Sequence, residues 1–65
     1  MNKYQVYFRG DEYDIGYLAW RESVAMGSVI VEALTNRDAL RLAKREHRVE
    51  GRIANLKAVN VKRIG

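Results

Sequence analysis

The stretch from Thr35 to Gly51 constrains the fold most, because it carries the strongest helical signal in the chain. Thr35 and Asn36 are both residue types that cap helices, and Asp38 in the first turn suits the helix dipole. The residues that follow are mostly strong helix formers, and Gly51 offers a left-handed stop. We therefore predict a helix over residues 36–49 and leave the choice between the two caps open.

This helix should have two unlike faces, since successive side chains are rotated by about 100°. Its apolar side holds four residues: Ala39, Leu40, Leu42 and Ala43. Its opposite side lines up four cations with no acidic residue between them: Arg37, Arg41, Lys44 and Arg48. Arg45 and Arg52 flank this stripe. The apolar side is expected to dock on a sheet and the basic side to face solvent.

Residues 3–9 alternate between apolar and polar side chains, which is the period of a half-buried strand. Tyr4, Val6 and Phe8 should face the core, with the intervening side chains on the other side of the strand. Gly10-Asp11 then indicates a turn.

Two later segments also have the composition of strands. Residues 28–34 begin after Gly27 and direct alternate apolar side chains to one face: Val29, Val31 and Ala33. Residues 56–64 place Val59 and Val61 on one face. Both segments are rich in β-branched residues, which favour strands.

The connection over residues 11–26 is compatible with two structures. Tyr13, Ile15 and Tyr17 alternate, which favours a long β-hairpin that extends both flanking strands. Its apolar residues could instead form one or two helical turns within a loop. In either structure Tyr13, Tyr17 and Trp20 bring aromatic surface into a connection.

The order ββαβ predicts the α+β class, with one helix packed on one face of a small, mostly antiparallel sheet of three to four strands. A chain of 65 residues has room for one core, so residues 1–65 are expected to form a single domain. A core of this size gives little net stability, and pairing with a second copy would add to it. A homodimer is therefore plausible.

The composition argues against an enzyme. The absence of cysteine excludes disulfides and thiolate metal sites and fits a reducing compartment. His47 is the single histidine, and we predict that it packs its ring at the margin of the apolar helix face. Asp11, Glu12 and Asp14 lack the spacing of a calcium loop, so we expect a solvated turn. We predict no catalytic residues, no metal site and no cofactor.

The N-terminal residues lack the apolar stretch of a signal peptide, and no apolar run approaches the roughly 20 residues that span a bilayer. A cytoplasmic protein without a membrane partner is expected. The charge is uneven: residues 1–33 hold three basic and five acidic side chains, and residues 34–65 hold nine basic and three acidic. The basic half suits an anionic partner, either nucleic acid or an acidic protein surface.

Residues 31–44 run Val-Glu-Ala-Leu-Thr-Asn-Arg-Asp-Ala-Leu-Arg-Leu-Ala-Lys. This stretch resembles a pattern in very small phage and mobile-element proteins, where a strand ending in Val-Glu-Ala runs into a capped helix. It is similar to one group of type I-F anti-CRISPR inhibitors, which bind the CRISPR surveillance complex and block its nucleic-acid-binding surface. The resemblance implies a ββα-plus-strand fold and a host-cell cytoplasmic inhibitor if the chain is phage-encoded, but it assigns no role to a particular residue.

Two functions follow as expectations. The first is a non-enzymatic inhibitor of phage type that binds a host protein assembly. The second is a nucleic-acid-binding module that uses the basic helix face. The candidate partner-binding residues are the basic set and the aromatic set: Arg37, Arg41, Lys44, Arg48, Arg45, Arg52, Tyr13, Tyr17 and Trp20.

Overall fold

The computed structural model describes all 65 residues. The elements are β1 (Asn2–Asp14), β2 (Ala19–Ala33), α1 (Asn36–Glu46) and β3 (Ile53–Arg63). The strands form one antiparallel sheet in the order β2-β1-β3, so β1 is central and the two edge strands run parallel to each other. The α+β class and the ββαβ order predicted from the sequence are confirmed, with three strands.

Strands β1 and β2 form one long hairpin. Their pairing runs from Asn2–Ala33 at one end to Asp14–Ala19 at the other. The predicted hairpin over residues 11–26 is therefore confirmed, and the alternative of a loop with a short helix is wrong. The turn predicted at Gly10-Asp11 is also wrong, because both residues lie inside β1. The hairpin gives the molecule an elongated shape of 44 × 16 × 14 Å.

The core lies between the helix and the half of the hairpin that is farther from its turn. Tyr4, Val6 and Phe8 are buried on the face of β1 that the alternation predicts. Strand β2 and helix α1 supply the other buried apolar side chains: Val31, Ala33, Ala39 and Ala43. The predicted apolar helix face is confirmed, and its two fully buried alanines let the helix approach the sheet closely. Leu40 and Leu42 pack at the margin of this core.

Helix α1 begins where the sequence predicts and ends earlier. The Thr35 hydroxyl accepts a hydrogen bond from the Asp38 backbone N–H at 3.2 Å, so Thr35 is the cap. The helix ends at Glu46 and its C-cap, His47, is extended. The predicted end near residue 49 is therefore wrong, and Gly51, with φ +91°, lies in the link to β3. No helix in this structure has the length and apolar character needed to cross a membrane.

The helix ends at a residue that makes a tertiary contact. The imidazole of His47 stacks on the ring of Phe8, with centroids 4.1 Å apart and planes 5° from parallel. Its Nε2 is buried and makes no hydrogen bond, so the ring acts as packing surface. The prediction of a boundary histidine that packs its ring is confirmed. The chain thus leaves the helix at the residue whose ring packs on the sheet.

Strand β3 starts at Ile53, three residues before the predicted start, and contains a bulge at Val59. The bulge places Ala58 and Val61 against the core and leaves Val59 exposed. The predicted shared face of Val59 and Val61 is therefore wrong, because an extra residue reverses the alternation. The outer strand β2 is bulged as well, at Gly27 and again near Ser23. Pairing of these edges in a homodimer stays a prediction.

Candidate functional site

Half of the hairpin extends beyond the helix. The last large core side chain on β1 is Phe8, and the strand continues for six more residues to Asp14. At about 3.3 Å per residue this adds roughly 20 Å of sheet that no helix covers. The contacts that stabilise this part of the molecule must therefore come from the residues of the sheet itself.

A carboxylate on the central strand ties both edge strands together in this uncovered part. One oxygen of Asp11 accepts the Ser23 backbone N–H at 3.0 Å, and the other accepts the Asn55 side-chain amide at 2.7 Å. Ser23 and Asn55 have φ values of +52° and +54°, and each lies at a bulge in its strand. Arg9 donates from Nε to the Ser23 hydroxyl at 3.1 Å and from Nη2 to the Ser23 carbonyl. We call Arg9, Asp11, Ser23 and Asn55 the strand clamp.

The acidic residues predicted to form a solvated turn are thus divided between the two faces of a strand. Asp11 lies in the strand clamp, whereas Glu12 faces the opposite side and pairs with Arg21 at 3.5 Å. Asp14 closes the hairpin by accepting the Gly16 backbone N–H at 2.9 Å. The expectation of a turn is wrong for Asp11 and Glu12, because they belong to β1.

The strand clamp predicts a specific pH dependence of stability. The Asn55 amide, then the Ser23 N–H, hold the pKa of Asp11 below its ordinary value of 3.8. A depressed carboxyl pKa stabilises the fold above the ordinary value, and this contribution is lost as the pH falls through the lowered pKa. We expect urea unfolding to show a steeper loss of stability below about pH 4 in the parent than in Asp11→Asn, which does not titrate. Identical pH profiles would contradict this role.

The far end of the hairpin exposes large apolar side chains. Four of them lie within six residues and are between 51 and 84% exposed: Ile15, Tyr17, Leu18 and Trp20. We call these four residues the hairpin end. The segment from residue 15 to residue 20 contains no charged side chain. Leu18 adopts φ +52°, a conformation that is costly for a residue with a Cβ atom.

The base of the hairpin end is an aromatic cluster. Tyr13 and Trp20 face each other across the two strands and pack edge to face, with ring centroids 5.5 Å apart. Arg52 places its guanidinium 5.6 Å from the centre of the Tyr13 ring, and its carbonyl accepts the Tyr13 N–H at 3.0 Å. The structure therefore brings these three predicted site residues together, with Tyr17 in the adjoining turn.

The predicted basic face is present on the helix in a smaller form. Arg37, Arg41, Lys44 and Arg45 line an open groove of about 520 Å³ together with Leu40 and Asp38. Asp38 contacts Arg41 at 3.3 Å, so the expectation that no acid lies among these cations is wrong. We call Arg37, Arg41, Lys44 and Arg45 the helix face.

Two of the predicted basic residues lie away from the helix face. Arg48 follows the last helical residue, in the segment between α1 and β3, because the helix ends at Glu46. Arg52 belongs to the aromatic cluster at the other end of the molecule. The single stripe predicted from helical spacing is thus divided between separate surfaces.

Ile15 and Leu18 belong to this exposed surface, but they were not among the site residues predicted from the sequence. The sequence does contain an indication of this turn, because Asp14 and Gly16 are typical turn residues and lie between two alternating segments. A turn so far from the helix leaves its apolar side chains with nothing to pack against. Comparison of the chain with protein-family models, with curated proteins and with solved structures finds no match.

Proposed function

We propose that this chain is a small, non-enzymatic binding protein that attaches to a host protein assembly through its hairpin end. The observation that carries the proposal is the exposure of four large apolar side chains, Ile15, Tyr17, Leu18 and Trp20, on a projecting turn. Tyrosine and tryptophan are the residues most often found as energetic anchors of protein interfaces. Apolar groups concentrated at one exposed point mark an interaction site more often than scattered ones do.

The form of the hairpin end limits the kind of partner. It is a narrow projection on a molecule only 16 × 14 Å across, so it fits a concave site better than a flat one. Because residues 15–20 carry no charge, the complementary pocket should be apolar and neutral at its centre. Such pockets are typical of folded proteins, which is why we favour a protein partner.

The support beneath the hairpin end favours tight binding. The strand clamp joins both edge strands to Asp11, and the Tyr13–Trp20 contact closes the strands above it. An interface that is ordered before binding loses less conformational entropy on association. The strands that carry the hairpin end are therefore held together before binding.

The identity of the assembly is proposed from the resemblance of residues 31–44 to anti-CRISPR inhibitors. On that basis the first partner to test is the type I-F CRISPR surveillance complex. Inhibition would then follow from occupation of a site on that complex by the hairpin end. This part of the proposal can fail while the hairpin end still binds another protein assembly.

Affinity capture with matched variants tests the proposal. The parent, a triple variant of the hairpin end (Ile15→Ser, Tyr17→Ser, Leu18→Ser) and a helix-face variant (Arg37→Glu, Lys44→Glu) would be mixed with purified surveillance complex and, separately, with host lysate. All five positions are exposed, so the variants should fold. We expect a protein that the parent and the helix-face variant retain and the triple variant loses. If the parent and both variants retain the same proteins equally well, the proposal is wrong.

Nucleic-acid binding by the helix face is a second candidate function. The groove lined by Arg37, Arg41, Lys44 and Arg45 favours it, because neighbouring cations can contact successive phosphates. Such binding would weaken steeply with salt and would show little sequence preference. A gel shift with duplex DNA at low salt tests it, and negligible binding, or full binding by Arg37→Glu with Lys44→Glu, would dismiss it.

A further inference from the structure

We infer that the face of the sheet opposite the helix is a platform for single-stranded nucleic acid, a surface that is distinct from the helix face and that adjoins the hairpin end at Trp20. The juxtaposition that carries this inference is a half-buried tyrosine, Tyr7, with three cations beside it: Arg9, Lys57 and Lys62. We call these four residues the sheet platform.

Strand register places the platform residues together. On β1 the side chains of Tyr4, Val6 and Phe8 point to the core, so Tyr7 and Arg9 point to the opposite face. Residues that pair directly across antiparallel strands share a face, and β3 pairs Lys57 with Arg9. Lys62 pairs with Gln5, the residue two positions before Tyr7, and so joins the same face.

The acidic residues of this face, Asp11 and Glu32, are fewer than its cations, Lys3, Arg9, Lys57 and Lys62. Asp11 accepts the Ser23 N–H and the Asn55 amide, and its carboxylate also lies close enough to Lys57 to interact with that charge. Glu32 lies directly opposite Lys3, which balances its charge at the edge of the platform. None of the three platform cations forms an ion pair with a carboxylate in this structure.

Aromatic rings and cations lie together on this face, and single-strand binding sites combine these two kinds of side chain. Unstacked bases rest on aromatic rings, and the backbone phosphates are neutralised by nearby cations. Tyr7 is one such ring, and Trp20, about half exposed, is a second on the same face of the hairpin. They are six residues apart along the sheet, or roughly 20 Å. The helix face, by contrast, has cations without an aromatic ring among them.

The cations are also held in suitable positions. Arg9 is oriented by its hydrogen bonds to Ser23, and the guanidinium keeps further N–H groups for a phosphate. The bulge at Asn55 positions the chain just before Lys57. A basic, exposed sheet face with a ring among its cations fits a splayed single strand better than a duplex, whose bases are stacked inside.

Two charge-matched variants test the inference with the full chain. Lys57→Glu with Lys62→Glu alters the sheet platform, and Arg37→Glu with Lys44→Glu makes the same change in net charge on the helix face. Binding of labelled single-stranded oligonucleotides of about 12 nucleotides, dT and rU, would be measured by anisotropy at low salt. We expect the platform variant to lose affinity by about tenfold or more and the helix-face variant by less than about threefold.

The aromatic part has its own readout. The single tryptophan, Trp20, should be quenched when a base stacks on it. Tyr7→Ala should weaken binding by roughly fivefold or more, whereas Tyr7→Phe, which keeps the ring, should bind like the parent. Circular dichroism checks the fold of each variant, and the exposed lysine variants decide the question if Tyr7→Ala unfolds.

Three results would overturn the inference. They are the absence of single-strand binding at low salt, equal losses in the two charge-matched variants, and duplex binding as tight as single-strand binding. None of these three results bears on the proposed binding of a protein partner. That binding is tested by the triple variant of the hairpin end, which leaves the four platform residues in place. Conversely, loss of partner capture in that triple variant with unchanged oligonucleotide binding would support two binding surfaces that meet only at Trp20.

Discussion

Replacing Phe8 with alanine should destabilise the protein by about 3–5 kcal/mol, the usual cost of truncating a buried aromatic side chain. Phe8 is 3% exposed, belongs to the single core cluster and carries the stacked ring of His47. Its removal would therefore leave a cavity and also release the end of the helix. For a chain of 65 residues, total stability is only about 3–10 kcal/mol, so the variant should be largely unfolded near body temperature.

Urea denaturation followed by circular dichroism measures this loss. The matched control is Ile30→Ala, which removes an apolar side chain that is 55% exposed on the opposite face of the sheet. Surface changes of this kind usually alter stability by about 0.5 kcal/mol or less. A Phe8→Ala variant that melts within a few degrees of the parent would mean that the helix does not pack on this face.

The alternation in residues 3–9 was enough to predict the core face of β1, because burial on one side of a strand imposes a period of two. Likewise, the cap at Thr35 and the apolar face of α1 depend on neighbouring residues and follow from local chemistry. These features share one property: each is decided within a few residues of the chain. The start of the helix and its apolar face were predictable for this reason.

The bulges were not predictable, since they depend on how many residues each edge strand places opposite β1. The alternation in the sequence places Val59 on the same face as Val61, yet one extra residue in β3 moves Val59 to the surface. Gly27, with φ +86°, was interpreted as the start of a strand and instead permits a bulge inside β2. Because the bulges decide where Ser23 and Asn55 lie, the strand clamp was also hidden from sequence patterns.

Gly10 lies inside a strand although its sequence context is typical of a turn. Next to Asp11 it has the composition of a turn, but a Cβ atom at Gly10 would lie 3.3 Å from both the Ala54 oxygen and the Leu56 Cα. The glycine is needed because β1 and β3 approach closely there. Long-range packing of this kind leaves no local trace, which is why the predicted turn was wrong and why the candidate site could be named only in part.

The length of the hairpin decides whether the predicted aromatic residues are buried or exposed. Tyr13, Tyr17 and Trp20 could have closed a small core had the connection folded back over the sheet. Instead, the uncovered half of the hairpin carries them away from the helix, and Tyr17 is 84% exposed. An aromatic side chain this exposed adds nothing to the core, so a change at Tyr17 should separate binding from stability.

Tyr17→Ala should therefore reduce affinity for the protein partner by about 2–4 kcal/mol, or roughly 30- to 1,000-fold, as expected for an aromatic anchor. Its unfolding free energy should stay within about 0.5 kcal/mol of the parent, because the ring contacts no core residue. Calorimetry or surface plasmon resonance with the captured partner measures the first quantity, and urea denaturation the second. Tyr17→Phe is the matched control, since it keeps the ring and removes only the hydroxyl, and it should bind almost as tightly as the parent. An unchanged affinity in Tyr17→Ala would move the binding site away from the turn, and the triple variant would then show whether Ile15 and Leu18 bind without it.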